Sequence, residues 1–107
     1  MRMWKVNPKL LCNHHLLGEH CEMHMFVGIL NKGISILGYI NKGLIEVENI
    51  KNRHEELVKE FENRGMKHNS PLQPYKSFKA GKVNIEENLK TLQNRCLECK
   101  RKISCNK

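Results

Sequence analysis

Ile50-Lys-Asn-Arg-His-Glu-Glu-Leu-Val-Lys-Glu-Phe-Glu-Asn-Arg-Gly65 is the stretch that decides the fold class. Val47, Ile50, His54, Leu57, Val58 and Phe61 recur at helical spacing while Glu and Lys fill the other face, so the segment predicts an amphipathic helix. Arg64 gives it a basic last turn and Gly65 a stop. Upstream, Asn7 and Pro8 form an N-cap and first-turn pair for a long helix running to about Leu30, ended by Asn31-Lys32-Gly33. Its internal glycines, Gly18 and Gly28, each cost about 1 kcal/mol relative to Ala, which points to close packing or the approach of a ligand. Residues 34–45 set β-branched side chains among glycines and read equally as a short extended segment or a connector. Downstream, Pro71 and Pro74 lie in a polar linker. Asn84 with Glu87 then makes a reciprocal cap for a third helix, with Ile85, Leu89, Leu92, Cys96 and Cys99 on its apolar side. About three helices with irregular connectors predict an all-α fold, a single compact domain over residues 1–107.

The chain has 107 residues with 19 Lys plus Arg against 11 acidic side chains, a formal charge of +8. A domain this short has little room for a deep crevice between two lobes or for a wide barrel. Every acidic residue is Glu, so any carboxylate chemistry belongs to Glu. Charge is uneven: residues 1–65 hold 9 basic and 8 acidic side chains, whereas 66–107 hold 10 and 3, which makes the C-terminal part the polyanion-facing candidate. No apolar run reaches the roughly 18 residues a bilayer span needs, and the N-terminus lacks a signal-peptide profile, so a cytoplasmic protein without membrane association is expected. Five cysteines, Cys12, Cys21, Cys96, Cys99 and Cys105, then read as reduced thiols or metal ligands rather than a disulfide framework.

The chemically richest stretch is Asn13-His-His-Leu-Leu-Gly-Glu-His-Cys-Glu-Met-His-Met-Phe-Val-Gly28. On a helix, His15, Glu19 and Glu22 share one ridge above Phe26, beside an apolar ridge of Leu16, Met23 and Leu30. A solvated helical face is the plain account of such a pattern. A metal site using His20 and His24 is another, although the His-Glu-x-x-His order of zinc proteases is absent. Cys96-x2-Cys99-x5-Cys105 is a stronger metal hint that wants a fourth ligand, with His68, Cys12 and Cys21 as distant candidates and buried thiols on a helix as the alternative.

Met1-Arg-Met-Trp4, His15-Leu-Leu-Gly-Glu-His-Cys-Glu-Met-His-Met-Phe-Val-Gly28 and the Ile50–Gly65 block, in that order, together resemble the pyrimidine-dimer DNA glycosylase/abasic-site lyase family, of the phage endonuclease V type. The resemblance implies an all-α repair enzyme that cuts the glycosidic bond of a UV-damaged nucleotide and then the strand. It implies an N-terminal α-amine that attacks the sugar C1′ to form an imine, assisted by a glutamate on the first helix. Those roles fall on Met1 and Glu22, with Met1 retained because Arg2 is too bulky to favour its removal. Arg2 corresponds to a basic residue beside the nucleophile and His15 to a histidine facing the site. Lys32 and Arg95 stand where phosphate contacts are expected. The implied partner is double-stranded DNA carrying UV photoproducts or abasic sites, bound by a monomer, with no metal or organic cofactor.

Independently of any family, an α-amine with a reference pKa of about 7.7–8.0, against about 10.4 for Lys, supplies a neutral nucleophile near neutral pH. Two departures stand out. Cys21 and Met25 replace the arginines that flank the catalytic glutamate in the phage enzyme, and the tail from Cys96 to Lys107 lacks the aromatic residues used there for dimer recognition. The alternative is a non-catalytic basic helical module that binds nucleic acid, zinc-stapled at its C-terminus.

Overall fold

In the computed structural model, which describes residues 1–67 and 71–105, the amphipathic stretch forms a helix over Ile50–Asn63 and the histidine-rich stretch one over Asn13–Asn31. In chain order the helices are α1 (Asn13–Asn31), α2 (Leu37–Asn41), α3 (Ile50–Asn63), α4 (Ile85–Arg95) and α5 (Leu97–Cys105), with 3₁₀ turns at Pro8–Leu10 and Val47–Asn49. The fold is all-α, with no strand among the described residues. No described helix is long and apolar enough to cross a membrane. His68 lies outside the described residues.

Both glycine stops work through left-handed backbone. Gly33 (φ +73°) and Gly65 (φ +72°) let the chain fold back so that Ile34 N–H reaches Ile29 O (3.2 Å) and Met66 N–H reaches Phe61 O (2.8 Å). Three expectations need correction. Asn7 and Pro8 start only the 3₁₀ turn, and α1 is capped instead by Cys12, whose Sγ accepts from His15 N–H. Within 34–45 the chain forms the short α2, since Gly43 (φ +69°) allows Leu44 N–H to bond Tyr39 O (2.9 Å) and close it like the others. The third helix breaks at Cys96, which is extended (φ −130°, ψ 113°), so α4 and α5 are separate. Asn84 caps α4 as expected, Oδ1 accepting from Glu87 N–H at 3.1 Å.

α1 and α3 pack against each other around Leu16, Met23 and Phe26 on one helix and Ile50, Leu57 and Phe61 on the other, all buried. Each such side chain contributes about 1.5–3 kcal/mol relative to leaving it in water. Between them lies a buried ion pair: Arg53 meets both oxygens of Glu19, with Nη2 to Oε1 at 2.8 Å, and both residues are 1% exposed. Arg64 is not a solvated complement to the helix dipole. It pairs with Glu60 (2.8 Å) and donates to the carbonyls of Pro8 (3.1 Å) and Leu11 (2.6 Å), tying the turn before α1 to the end of α3.

Candidate active site

The N-terminal segment is clamped, not frayed. Met3 N–H donates to Leu44 O (2.7 Å), Asn88 of α4 donates to Trp4 O (2.7 Å), and the side chains of Met3 and Trp4 are buried. Trp4 N–H reaches Glu19 Oε2 at 3.2 Å, so the carboxylate that pairs with Arg53 also holds the incoming chain. Lys5 adopts φ +59°, an uncommon value for a non-glycine residue. Its Nζ bonds Glu46 Oε1 at 2.6 Å, and burial raises the Glu46 carboxyl while Lys5, Val83 N–H and Asn49 pull it net below its usual value. Glu46 Oε2 accepts from Val83 N–H at 2.8 Å and so draws residues 80–83 in beneath the N-terminus. At Gly81 (φ +87°) a Cβ would stand 2.1 Å from Ile45 O, which is why a glycine is required at that approach.

Thus anchored, Met1, Arg2 and Trp4 form one wall of a cleft of about 390 Å³ whose other lining residues are His14, His15, Gly18, Glu19, Glu22 and Arg95. Arg2 N–H points to Glu22 Oε2 at 3.4 Å, while the Arg2 guanidinium lies 4.5 Å over the Trp4 ring and reaches Asn88 Oδ1 at 3.4 Å. Gly18 packs against nothing, and its missing side chain leaves room in the cleft; Gly28 also has no close neighbour. Burial raises the Glu22 carboxyl above its ordinary value, helped by the nearby Glu19 charge. The Arg2 amide, the terminal ammonium and the Arg2 side chain oppose that rise without cancelling it. Burial, with His14 beside it, lowers His15 and favours the neutral imidazole. A carboxylate of raised pKa beside a terminal amine can accept a proton and return it within one catalytic cycle.

Met1, Arg2, His15, Glu22 and Arg95 therefore meet around one cleft, whereas Lys32 is exposed just beyond the far end of α1, about 15 Å along the helix from Glu22. His20 and His24 do not line the cleft. They turn to α3, where His24 Nε2 lies 3.2 Å from His54 Nε2 and the His20 ring sits 4.8 Å from that of His54. Sequence reasoning missed Asn88, which holds the N-terminal carbonyls from 84 positions away, and the buried role of Glu19. It also missed that His15 Nδ1 lies 3.2 Å from Cys12 Sγ and 3.5 Å from Cys99 Sγ. A larger cavity of about 630 Å³, between α3 and residues 71–77, shares no lining residue with this cleft.

Residues 1–74 match the model of the family described as pyrimidine dimer DNA glycosylase, and the chain belongs to that family. The match covers the N-terminal segment and α1 to α3 and ends before α4, so Arg95, Cys96 and Cys99 lie outside it. No curated protein and no solved structure is significantly similar to the chain.

Proposed function

We propose that the protein excises UV-induced pyrimidine dimers from double-stranded DNA and then nicks the strand as an abasic-site lyase, using the Met1 amine as nucleophile and Glu22 as its acid–base partner. The observation that carries this is the clamped N-terminus, which sets the first residue into the same cleft as Glu22. In the first step the amine nitrogen bonds to C1′ and gives up a proton as the C1′–N bond to the base breaks; the base takes up a proton and stays joined to the neighbouring base through the dimer. The sugar ring then opens and an imine forms. Glu22 positions the amine, stabilises positive charge developing at C1′, and later moves protons as β-elimination breaks the bond to the 3′ phosphate. Reaching C1′ within a duplex requires the lesion to be distorted out of the stack. Arg2 and Arg95 at the cleft rim are placed to neutralise phosphates, and His15 to contact the displaced nucleotide.

Blocking the terminus tests this directly. With the Met1 amine acetylated or carrying a fused tag, strand cleavage of abasic DNA is expected to vanish while duplex binding persists. Full nicking by the blocked protein would remove Met1 from the mechanism.

The raised Glu22 pKa has a consequence for pH dependence. Glu22 must be ionised to act as a base, so kcat/KM is expected to fall as pH drops through a value above the ordinary 4.5, not at it. A pH–rate profile on an abasic duplex reads this as a second limb at lower pH, below the fall that protonation of the nucleophilic amine itself produces. A profile with no second limb above the ordinary carboxylate value would contradict the role given to Glu22.

A further inference from the structure

Two helix starts face each other at the base of α5. Cys12 caps α1, with His15 N–H 3.5 Å from its Sγ, and Cys96 precedes α5 in the same way, with Cys99 N–H 3.5 Å from its Sγ. The chain thus presents Cys12-x2-His15 and Cys96-x2-Cys99 as matched pairs. Cys12 Sγ lies 3.2 Å from His15 Nδ1 and 3.8 Å from Cys96 Sγ, and Cys99 Sγ lies 3.5 Å from His15 Nδ1. All four donor atoms fall within 4.8 Å of one another. Zinc–sulfur bonds of about 2.3 Å and zinc–nitrogen bonds of about 2.0–2.1 Å at tetrahedral angles require donors about 3.8 Å apart for two sulfurs and about 3.6 Å for sulfur and nitrogen.

We propose that Cys12, His15, Cys96 and Cys99 hold a structural zinc ion that staples α5 and the start of α1 together. Three thiolates and one imidazole on Zn²⁺ leave a net charge of −1. The site answers that charge with backbone donors: besides the two capping amides, Cys12 N–H points to Cys99 Sγ at 3.3 Å, and both helix N-termini face the sulfurs. Four protein ligands close the coordination sphere, so the ion has no position for substrate and its role is to hold structure. Binding releases the three thiol protons to solvent and leaves the His15 proton on Nε2. The break at Cys96 places this residue at the cap of α5, where its Sγ accepts from Cys99 N–H as Cys12 Sγ does from His15 N–H. Cys21 and Cys105 are exposed and stand outside the set, so of the expected trio Cys96, Cys99 and Cys105 the last is replaced, and of the candidate fourth ligands it is Cys12 that joins, together with His15. The ion would join the part of the chain matched by the family to a helix beyond that match, and it would fix one wall of the cleft through His15. The inference is independent of the lyase chemistry, because its tests read metal and not turnover.

Metal analysis of the untagged protein purified without chelators is expected to give one zinc per chain. Cobalt exchanged into the site should show thiolate-to-metal charge transfer with the strong visible bands of tetrahedral coordination. Cys96→Ser should lose the zinc entirely, whereas Cys105→Ser should keep it. If Cys96→Ser does not fold, the cobalt spectrum of the unaltered protein decides. Folded protein with no zinc, an iron content in its place, or the mass deficit of a disulfide between Cys12 and Cys96 would overturn the site. So would a cobalt spectrum without thiolate bands, which would put the metal on His20, His24 and His54 instead.

Discussion

Glu22→Gln is expected to cut turnover on both dimer-containing and abasic duplexes by about 10²–10⁴-fold, the span typical of a positioned acid–base group. Gln keeps the shape of the side chain and can still accept from Arg2 N–H, so the clamped terminus stays in place. What it loses is the charge that faces the terminal ammonium and the ability to carry a proton. Duplex affinity should stay near that of the unaltered protein, because removing a negative charge from a DNA-facing cleft costs nothing against phosphates. Single-turnover kinetics alongside binding isotherms separate the two quantities. A variant that binds and cleaves at the original rate would place the chemistry elsewhere.

The largest effect on stability is expected at Arg53→Met. That change leaves the Glu19 carboxylate, 1% exposed, without its cation and costs about 3–5 kcal/mol. Small domains are stable by about 5–15 kcal/mol in total, so the loss is a large share, and the fall in Tm should exceed about 10 °C. Glu19 also accepts from Trp4 N–H, and Arg53 Nη1 donates to Val6 O at 2.7 Å, so the same substitution loosens the segment that presents Met1. Adding Glu19→Leu removes the stranded charge and should recover part of the Tm, since an apolar pair can replace a buried ionic one. It should not recover activity, because Trp4 N–H then has no acceptor on α1. A single Arg53→Met variant with unchanged Tm would contradict the role assigned to the pair.

Much of the helical plan was legible because its signals are local. The periodicity centred on Leu57, the Gly33 and Gly65 stops and the Asn84 cap each act within one or two turns, and each is present. The same locality misled at Asn7-Pro8, where a 3₁₀ turn satisfies the cap and the chain bends before Cys12 begins the real helix. The ridge of His15, Glu19 and Glu22 looked uniform along the helix, yet tertiary packing divides it: Glu19 is sealed against Arg53 while Glu22 stays half-open to the cleft. No pattern in residues 13–28 announces that division, because it is set by a residue 34 positions away. The cysteine cluster was legible only in part: Cys12 stands among the distant candidates for a fourth ligand, but Cys105 does not join the group and His15, 84 positions from Cys99, is its remaining member. Two pairs of the same spacing, each at the start of a helix, were the signal that could have joined them.

Borohydride trapping of the untagged protein on two labelled duplexes, one with an abasic site and one with a cyclobutane thymine dimer, tests the central claim most directly. Reduction turns any imine into a stable amine link whose position mass spectrometry can map. The predicted result is a crosslink on Met1 with both DNAs. Folded, DNA-bound protein that gives no crosslink, or one mapped to a lysine side chain, would contradict the assignment of the terminal amine as nucleophile.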